Sequence, residues 1–495
     1  MRTPILQLLL LNYYYSTTTT ITTTATTATT TIRIKLIVFV ISSSSSKKSF
    51  DLYFTSGSAP CRSILLTGKL LGLTFNLKWV NLVEGEQKKP EIKQLNPQHT
   101  IPILVDGDYV IWESRAIIIY LFDEYGEGKH LSLFPKNNRK RATILQRLFF
   151  DATVLYQRFM EAYYPKMLNP SVQPVDEEDK LRRLDEAFEF LNEFIGDNDY
   201  VAGNELSLAD ISMLTSVTTI QAVKYDVEIY PNVKRWLEKT IGSFPEADYK
   251  DGNADGVEAY LVASPPGTEP SGSKKPMILY YTPGSAPCRS VLLTANLLNI
   301  DLDLQPIDLK KKDQLKPEIL KLNPQHTLPT LVDDDYVLWE SRAIIIYLLE
   351  EYGKKHLSLF PENNRKRATI LQRLFFDATV LYQRFMEAYN PFLLRGQMYT
   401  PQQMEKINEA FGFLNDFIGD NDYVAGNELT LADISMLSIV TTFGAVQYDV
   451  EQYPKIGIWL AKTIASFPNY ADYEKINVQG LTEYRDVYSK KIAAT

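Results

Sequence analysis

Two serines stand where a hydroxyl group could stabilise an anion. Ser58 begins the run Ser58-Ala-Pro-Cys61, and Ser285 begins an identical run that ends at Cys288. Each run follows a short apolar stretch that reads as a strand, and a helical pattern comes after it. A residue at such a junction lies at the positive end of a helix dipole, beside backbone amides that lack partners. This position favours an anion, including a thiolate.

The chemistry open to this junction is narrowed by the replacement of one cysteine. Redox proteins of the thioredoxin type carry Cys-x-x-Cys here, whereas this chain has Ser-x-x-Cys twice. A dithiol mechanism is therefore impossible, and what remains is a hydroxyl that can donate a hydrogen bond to the thiolate of another molecule. The alternative for Ser58 is a structural N-cap. For Cys61 we adopt the structural interpretation, a buried and small apolar residue.

A second motif, Asn96-Pro-Gln-His-Thr-Ile-Pro102, recurs with one change as residues 323–329. A proline that enters a strand after such a turn is a candidate cis-proline, and its missing amide suits the edge of a sheet. The backbone of Ile101 would then be able to pair with an extended peptide ligand. The alternative is an ordinary loop.

A third motif, Glu113-Ser114-Arg115, stands at a predicted helix start and recurs as Glu340-Ser341-Arg342. The hydroxyl and backbone amide of Ser114 lie where a carboxylate would be favoured, because the first turn of a helix leaves its amides without partners. The alternative is a capped, solvated helix end.

The elements that must position these motifs change in type midway through each copy. Residues 51–55 and 277–282 are predicted strands, and residues 101–105 and 109–112 a hairpin around Asp106-Gly-Asp108. Residues 62–71 and 113–125 are predicted helices, the second closed by Gly126. From residue 144 to 163, apolar residues recur at spacings of three and four, which predicts a long helix. Capping boxes are predicted at residues 207–210 and 430–433.

An internal repeat organises everything after residue 47. The motifs recur in the same order, and residues 137–163 are identical to residues 363–389. A period this long excludes a solenoid and indicates a duplicated module with its own core. We predict domains at residues 48–128, 135–262, 276–354 and 361–495, with a Pro-, Gly- and Ser-rich linker at 263–275. Residues 1–47 read as a low-complexity leader.

Composition limits the function classes that remain. The chain has 495 residues, of which 45% are hydrophobic and 23% charged, and its net charge of −8 gives no general attraction to nucleic acid or to an anionic membrane. Two cysteines cannot form a disulfide framework, so a reduced, cytoplasmic setting is expected. The apolar runs of the leader are shorter than the roughly 20 residues needed to span a bilayer. No Cys-x-x-Cys or His-Glu-x-x-His spacing is present, so no metal site is predicted.

Taken together, the motifs Gly-Ser-Ala-Pro-Cys-Arg-Ser, Asn-Pro-Gln-His-Thr-x-Pro and Trp-Glu-Ser-Arg-Ala resemble those of cytosolic glutathione transferases, and of the arthropod delta class most of all. The resemblance covers both modules from residue 48 onward. It implies an α/β, thioredoxin-like domain followed by an all-helical domain in each unit, with glutathione as co-substrate. It also implies either an intramolecular pseudo-dimer or a homodimer.

The resemblance implies a role for each motif residue. The catalytic serines, which would hold the glutathione thiolate, are Ser58 and Ser285. The glutathione-binding residues would be His99, Ile101, Pro102, Glu113, Ser114, Arg115, His326, Leu328, Pro329, Glu340, Ser341 and Arg342. In that set the histidines bind the glycyl carboxylate, the residue before each proline pairs with the cysteinyl backbone, and the Glu-Ser-Arg residues hold the γ-glutamyl end. The residues that would reach across the dimer are Asp151 and Asp377. The electrophile pocket would contain Tyr156, Tyr164, Tyr382 and Asn390.

Two differences qualify this resemblance, and the two modules also differ from each other. Gln87 and Gln314 stand where delta enzymes commonly carry a second histidine, which would weaken one contact to the glycyl carboxylate. Ser56 replaces the proline that the second module keeps as Pro283. The long helices diverge after their identical segment, at Tyr164 and Asn390, so the two sites should prefer different electrophiles.

The predicted function is the conjugation of glutathione to small hydrophobic electrophiles in detoxification, with peroxidase or dehydrochlorinase side activity also open. A non-catalytic ligand-binding member of the fold is the alternative. Thiol-transferase chemistry lacks its cysteine.

Overall fold

In the computed structural model, each module begins with a four-stranded mixed sheet. The structure describes residues 49–55, 57–82, 84–126, 128, 130–168, 176–254, 277–467 and 473–493. The predicted leader and linker, like Ser56, lie outside the described residues.

The first sheet domain alternates strands and helices: β1 (Ser49–Phe54), α1 (Ala59–Leu71), β2 (Thr74–Trp79), α2 (Pro90–Leu95), β3 (Ile103–Asp106), β4 (Tyr109–Trp112) and α3 (Ser114–Tyr125). The strand order is β2-β1-β3-β4, with β1 parallel to β2 and antiparallel to β3. Phe50 and Leu52, two residues apart on β1, lie on the same face of the strand and are fully buried. Helix α1 ends at Gly72, whose φ of 70° lies in the left-handed region that glycine tolerates.

The helical part of the first module contains α4 (Asn138–Phe150), α5 (Tyr156–Leu168), α6 (Glu177–Ile195), α7 (Leu208–Ala222), α8 (Pro231–Gly242) and α9 (Glu246–Tyr249). A π-helical turn, Asp151–Leu155, joins α4 to α5, so the predicted long helix is one path with a local widening. Both predicted capping boxes are confirmed, since Ser207 with Asp210 and Thr430 with Asp433 each exchange side-chain and backbone hydrogen bonds.

The second module repeats this order. Its sheet domain contains β5 (Ile278–Tyr281), α10 (Ala286–Leu297), β6 (Asp303–Pro306), α11 (Pro317–Leu320), β7 (Thr330–Asp333), β8 (Tyr336–Trp339) and α12 (Ser341–Tyr352). Its helical part contains α13 (Asn364–Phe376), α14 (Tyr382–Arg395), α15 (Pro401–Ile418), α16 (Leu431–Ala445), α17 (Pro454–Ala465) and α18 (Thr482–Ile492). The π-helical turns Asp377–Leu381 and Glu474–Val478 precede α14 and α18.

The two modules touch along α4 and α13. Helix α4 packs against α12, and α13 packs against α3 in the reciprocal way. Phe149 stacks on Phe375 with ring centroids 4.2 Å apart. The Gln146 side chain donates to the carbonyl oxygen of Trp339 at 3.1 Å, and Gln372 makes the same bond to the first module at 3.2 Å. Each contact thus occurs twice, as expected when two modules pair through equivalent faces.

Candidate functional site

The two serines cap the helices that follow them. The Oγ atoms of Ser58 and Ser285 accept hydrogen bonds from the backbone amides of Cys61 and Cys288, each at 3.4 Å. Accepting a bond uses a lone pair and leaves the hydroxyl proton free to be donated. Each serine therefore combines a cap with a potential donor at the positive end of a helix.

The two cysteines are fully buried, as the structural interpretation expects. Burial raises the pKa of the Cys61 and Cys288 thiols to about 11. Hydrogen bonds with the serines and the charges of the nearby arginines lower the pKa, but by less than burial raises it. A thiol with so high a pKa is almost entirely protonated at neutral pH, so neither cysteine is a nucleophile.

The proline loops take the predicted form. The peptide bonds Ile101–Pro102 and Leu328–Pro329 are cis. His99 and His326 lie three residues before these prolines. Their φ values of 44° and 46° fall in a region that residues with a side chain rarely occupy. Such conformations persist where the surrounding structure enforces them, often at ligand sites.

Hydrogen bonds fix the first of these loops to the sheet. The Asn96 side chain donates to the carbonyl oxygen of Thr100 at 2.9 Å and accepts from the Gln98 amide at 3.0 Å. The indole of Trp112 donates to the Gln98 side chain at 2.7 Å, which ties the loop to β4. The second module repeats this network, so both histidines are held on a rigid loop.

The Glu-Ser-Arg motifs lie at the start of α3 and α12. Glu113 and Glu340 have φ values of 69° and 70°. Burial raises the pKa of Glu113 to about 7, although Arg115 lowers it in part, and burial also raises the pKa of Glu340. A buried carboxyl group with a raised pKa near a second charged residue is typical of functional sites.

The expectation that Asp151 and Asp377 reach across the interface is not met. Arg115 donates to the carboxylate of Asp151 at 2.6 Å, and Ser212 of the same module donates to it at the same distance. The corresponding distance from Arg342 to Asp377 is 2.8 Å. Both aspartates are fully buried in π-helical turns, and these hydrogen bonds go to residues of their own module. Each aspartate thus holds the arginine of its own motif.

The structure brings the predicted residues of the second module together around two adjoining cavities. The larger, of about 250 Å³, is lined by residues that include Ser285, Gln314, His326, Tyr382 and Asn390. The smaller, of about 160 Å³, is lined by residues that include Pro329, Glu340, Ser341, Arg342 and Tyr382. Thr327 and Leu328 line both cavities, so the cavity of Ser285 and the cavity of the Glu-Ser-Arg motif are direct neighbours.

The positions predicted for the electrophile pocket differ between modules. Tyr382 and Asn390 line the larger cavity of the second module. In the first module, Tyr156 lies under the Arg115 guanidinium at 5.7 Å, and burial raises the pKa of its phenol to about 12. Tyr164 is 40% exposed, so much of its ring faces solvent.

One of the two glutamines that stand in the place of a histidine lies at the site. Gln314 lines the larger cavity, and the Oε1 atoms of Gln87 and Gln314 are buried without a hydrogen-bond partner among the described residues. A buried polar atom without a partner is unfavourable, so an approaching ligand donor would gain a bond there.

Several residues of the site were not predicted. Thr153 and Val154 of the first module line the smaller cavity of the second, and Tyr484 of α18 lines the larger one. Arg289 lies behind the cavity wall. Its sequence signal is its place in the repeated Ser-Ala-Pro-Cys-Arg run. Tyr484 gave no such signal, because it is far from every motif in sequence.

Family comparisons match both halves of both modules. Residues 57–124 and 279–356 match models described as glutathione S-transferase, N-terminal domain, and residues 155–243 and 381–466 match the C-terminal domain. These ranges cover well over half of the chain. The chain belongs to the glutathione S-transferase family. It is accordingly an enzyme with glutathione as co-substrate, and the predicted fold, a thioredoxin-like domain followed by a helical domain in each of two units, is confirmed.

Solved structures of insect glutathione transferases are similar to single modules. A delta-class enzyme of Nilaparvata lugens is 42% identical, with 44% of this chain and 100% of that chain covered and a TM-score of 0.42. A glutathione transferase of Bombyx mori is 41% identical, with coverages of 43% and 97% and a TM-score of 0.41. An epsilon-class enzyme of the housefly Musca domestica is 38% identical, with coverages of 43% and 98% and a TM-score of 0.41.

No described helix has the length and apolar character that crossing a membrane requires. Among the described residues, no cluster of three or more histidines, cysteines and carboxylates has the arrangement that would hold a metal ion.

Proposed function

We propose that this chain conjugates the glutathione thiolate to hydrophobic electrophiles at two sites, one in each module. The observation that carries the proposal is that Ser285, a helix cap with a free hydroxyl proton, borders a cavity that shares lining residues with the cavity of the Glu340-Ser341-Arg342 motif. In the first module Ser58 has the same cap geometry.

The proposed binding mode extends glutathione along the two cavities of the second module. His326 binds the glycyl carboxylate, and the backbone of Leu328 pairs with the cysteinyl residue. Glu340, Ser341 and Arg342 hold the γ-glutamyl end, where the buried Asp377 keeps Arg342 in place. In the first module the corresponding residues are His99, Ile101, Pro102, Glu113, Ser114 and Arg115.

The proposed reaction needs the thiolate rather than the thiol. A free thiol has a pKa of about 8.5, so only a few per cent is ionised at neutral pH. The thiol proton passes to solvent, and the hydroxyl of Ser58 or Ser285 donates a hydrogen bond to the remaining sulfur anion. The sulfur electron pair forms a bond to the electrophilic carbon, and the leaving group departs with its own bonding pair.

The mixed lining of the larger cavity supports a hydrophobic second substrate. Tyr382, Phe385, Ile439 and Tyr484 line this cavity together with Ser285 and give it apolar surface. The motifs of both modules resemble those of the delta class, so we propose that class for the chain and detoxification in the cytoplasm as its setting. Reduction of organic peroxides and dehydrochlorination use the same thiolate and are proposed as side activities.

We further propose that the two modules form an intramolecular pseudo-dimer. The reciprocal contacts of α4 and α13 support it, as do Thr153 and Val154, which lie at the γ-glutamyl cavity of the other module. The domain boundaries predicted from sequence remain our proposal for the division of the chain.

The test is retention on immobilised glutathione followed by an assay with a chloronitrobenzene substrate. We expect both retention and turnover. Retention without turnover would favour the alternative, a ligand-binding member of the family, and the loss of both would refute the site.

A further inference from the structure

One buried cation near the second site is not used by the proposed reaction. Arg289 lies in the first turn of α10, four residues after Ser285, and its side chain is fully buried. Its guanidinium donates to the carbonyl oxygen of Ser438 at 2.8 Å and to the hydroxyl of Thr441 at 3.3 Å. It also donates to the side chains of Thr442 and Asn477.

All of these acceptors are neutral. The groups that interact electrostatically with Arg289 are the phenols of Tyr473 and Tyr484 on the C-terminal segment, the thiol of Cys288 on its own helix, and a second cation, Arg485. Helix α16 contributes only hydroxyl and carbonyl groups to it. No carboxylate is among the interactions that the described residues make with Arg289.

The other arginine of this site has a carboxylate partner. Arg342 is also buried, but it donates two hydrogen bonds to the carboxylate of Asp377, at 3.0 and 2.8 Å. Burying an ion without a counter-ion is unfavourable, so a fold that neutralises Arg342 and gives Arg289 no carboxylate favours an anion bound near Arg289.

The guanidinium lies one layer of side chains behind the cavity wall. Thr442, which accepts from Arg289, and Tyr484 both line the larger cavity together with Ser285. A β-carbon on Gly284 would be 2.7 Å from the Tyr484 ring, so that ring packs directly on the backbone beside Ser285. Burial lowers the pKa of Arg289 to about 10, which leaves it charged at neutral pH.

We propose that Arg289 is the counter-charge for the glutathione thiolate at Ser285, acting through space across the cavity wall. This inference rests on the proposed function of the second site. The guanidinium does not contact the sulfur. Its field, added to the serine hydrogen bond and the helix dipole, favours the ionised form of the thiol. Coulomb attraction across one side-chain layer in a buried setting corresponds to about one unit in the thiol pKa.

A purely structural role is the competing explanation, because Arg289 also ties the C-terminal segment to α16 through Asn477. The two roles separate when the charge and the hydrogen bonds are changed independently. Arg289→Gln removes the charge. Asn477→Asp keeps the side-chain shape and the bond to Arg289 but supplies the missing carboxylate. Asn477→Ala removes the bond and leaves the guanidinium uncompensated, and serves as the matched control.

The experiment uses the full chain with Ser58→Ala as background, so that turnover reports the second site. The measurement is kcat/KM for a chloronitrobenzene substrate against pH, which gives the apparent thiol pKa, together with the Tm of each variant. Arg289→Gln and Asn477→Asp should each raise the apparent pKa by about one unit and lower kcat/KM below it about tenfold. Rates on the alkaline plateau should converge with the parent, and Asn477→Ala should leave the apparent pKa unchanged.

The outcomes distinguish this inference from the proposed function. Absence of turnover in the Ser58→Ala background would refute the proposed second site itself. Turnover with an unchanged profile in Asn477→Asp would overturn the role of Arg289 alone. An equal rise in Asn477→Ala would show that the contact, rather than the charge, matters. If Arg289→Gln fails to fold, the comparison of Asn477→Asp with Asn477→Ala still tests the role of the charge, because Asn477→Asp adds an ion pair to the fold.

Discussion

Replacing Ser58 and Ser285 by alanine, singly and together, tests the two-site proposal most directly. The cap that each serine makes is long, 3.4 Å from Oγ to the amide nitrogen, at the limit of a hydrogen bond. Its loss should therefore cost about 0.5 kcal/mol, the lower end for an N-cap. A hydrogen bond to a charged acceptor contributes about 1.5–3 kcal/mol.

These magnitudes separate a catalytic role from a structural one. Loss of a hydrogen bond to the thiolate should raise the thiol pKa by about 1–2 units and slow the affected site about 10- to 100-fold at neutral pH. Loss of the cap alone should lower the Tm by less than about 3 °C. Each single variant should retain the activity of its intact site, whereas the double variant should lose most activity.

The assay is kcat/KM with a chloronitrobenzene substrate at saturating glutathione, paired with thermal unfolding of the same samples. Threonine at the same positions is the matched control, because it keeps both the cap and the donor. A single alanine variant without any turnover would refute two independent sites. If activity falls only in proportion to the fall in Tm, both serines act only as helix caps.

Three further predictions concern binding, specificity and pairing. Since burial raises the pKa of Glu113 to about 7, glutathione affinity at the first site should fall as the pH drops through that value, and calorimetry on Glu113→Gln should show a flat profile. Because Asn390 lines the second cavity and Tyr164 is its counterpart, Asn390→Tyr and Tyr164→Asn should exchange part of the electrophile preference across a substrate panel; unchanged preferences would contradict this. Sedimentation equilibrium should give single chains for the parent, and a clean dimer of full chains would count against intramolecular pairing. The double variant Phe149→Ala, Phe375→Ala should have a Tm several degrees lower, since truncation of a buried phenylalanine costs about 3–5 kcal/mol.

Local sequence signals predicted the parts of the site that local chemistry determines. The helix cap at Ser58, the cis bond before Pro102 and the capping box at Ser207 each depend on a few adjacent residues, and all three are present. The predicted start of the first helix, residue 62, was three residues late. Proline and alanine already form its first turn, since proline fixes a helical φ and needs no amide partner there.

Features that depend on packing could not be predicted in this way. Asp151 lies in a π-helical turn, and its carboxylate accepts hydrogen bonds from Arg115 and Ser212 of its own module. Tyr484 reaches the larger cavity only because the C-terminal segment folds back over the loop before Ser285. Neither the turn nor this return of the chain has a local sequence signature.

The identity of residues 137–163 and 363–389 has a consequence for concentrated solutions. In the proposed pseudo-dimer, a module cannot distinguish its tethered neighbour from the same module of another chain, because both present the same face to it. Covalent linkage of two modules through a short segment gives an effective concentration on the order of millimolar. Dilution that separates two free modules should therefore leave the tethered pair intact. Crowding beyond that local concentration should let chains exchange modules, closing into swapped dimers or extending head to tail into open strings.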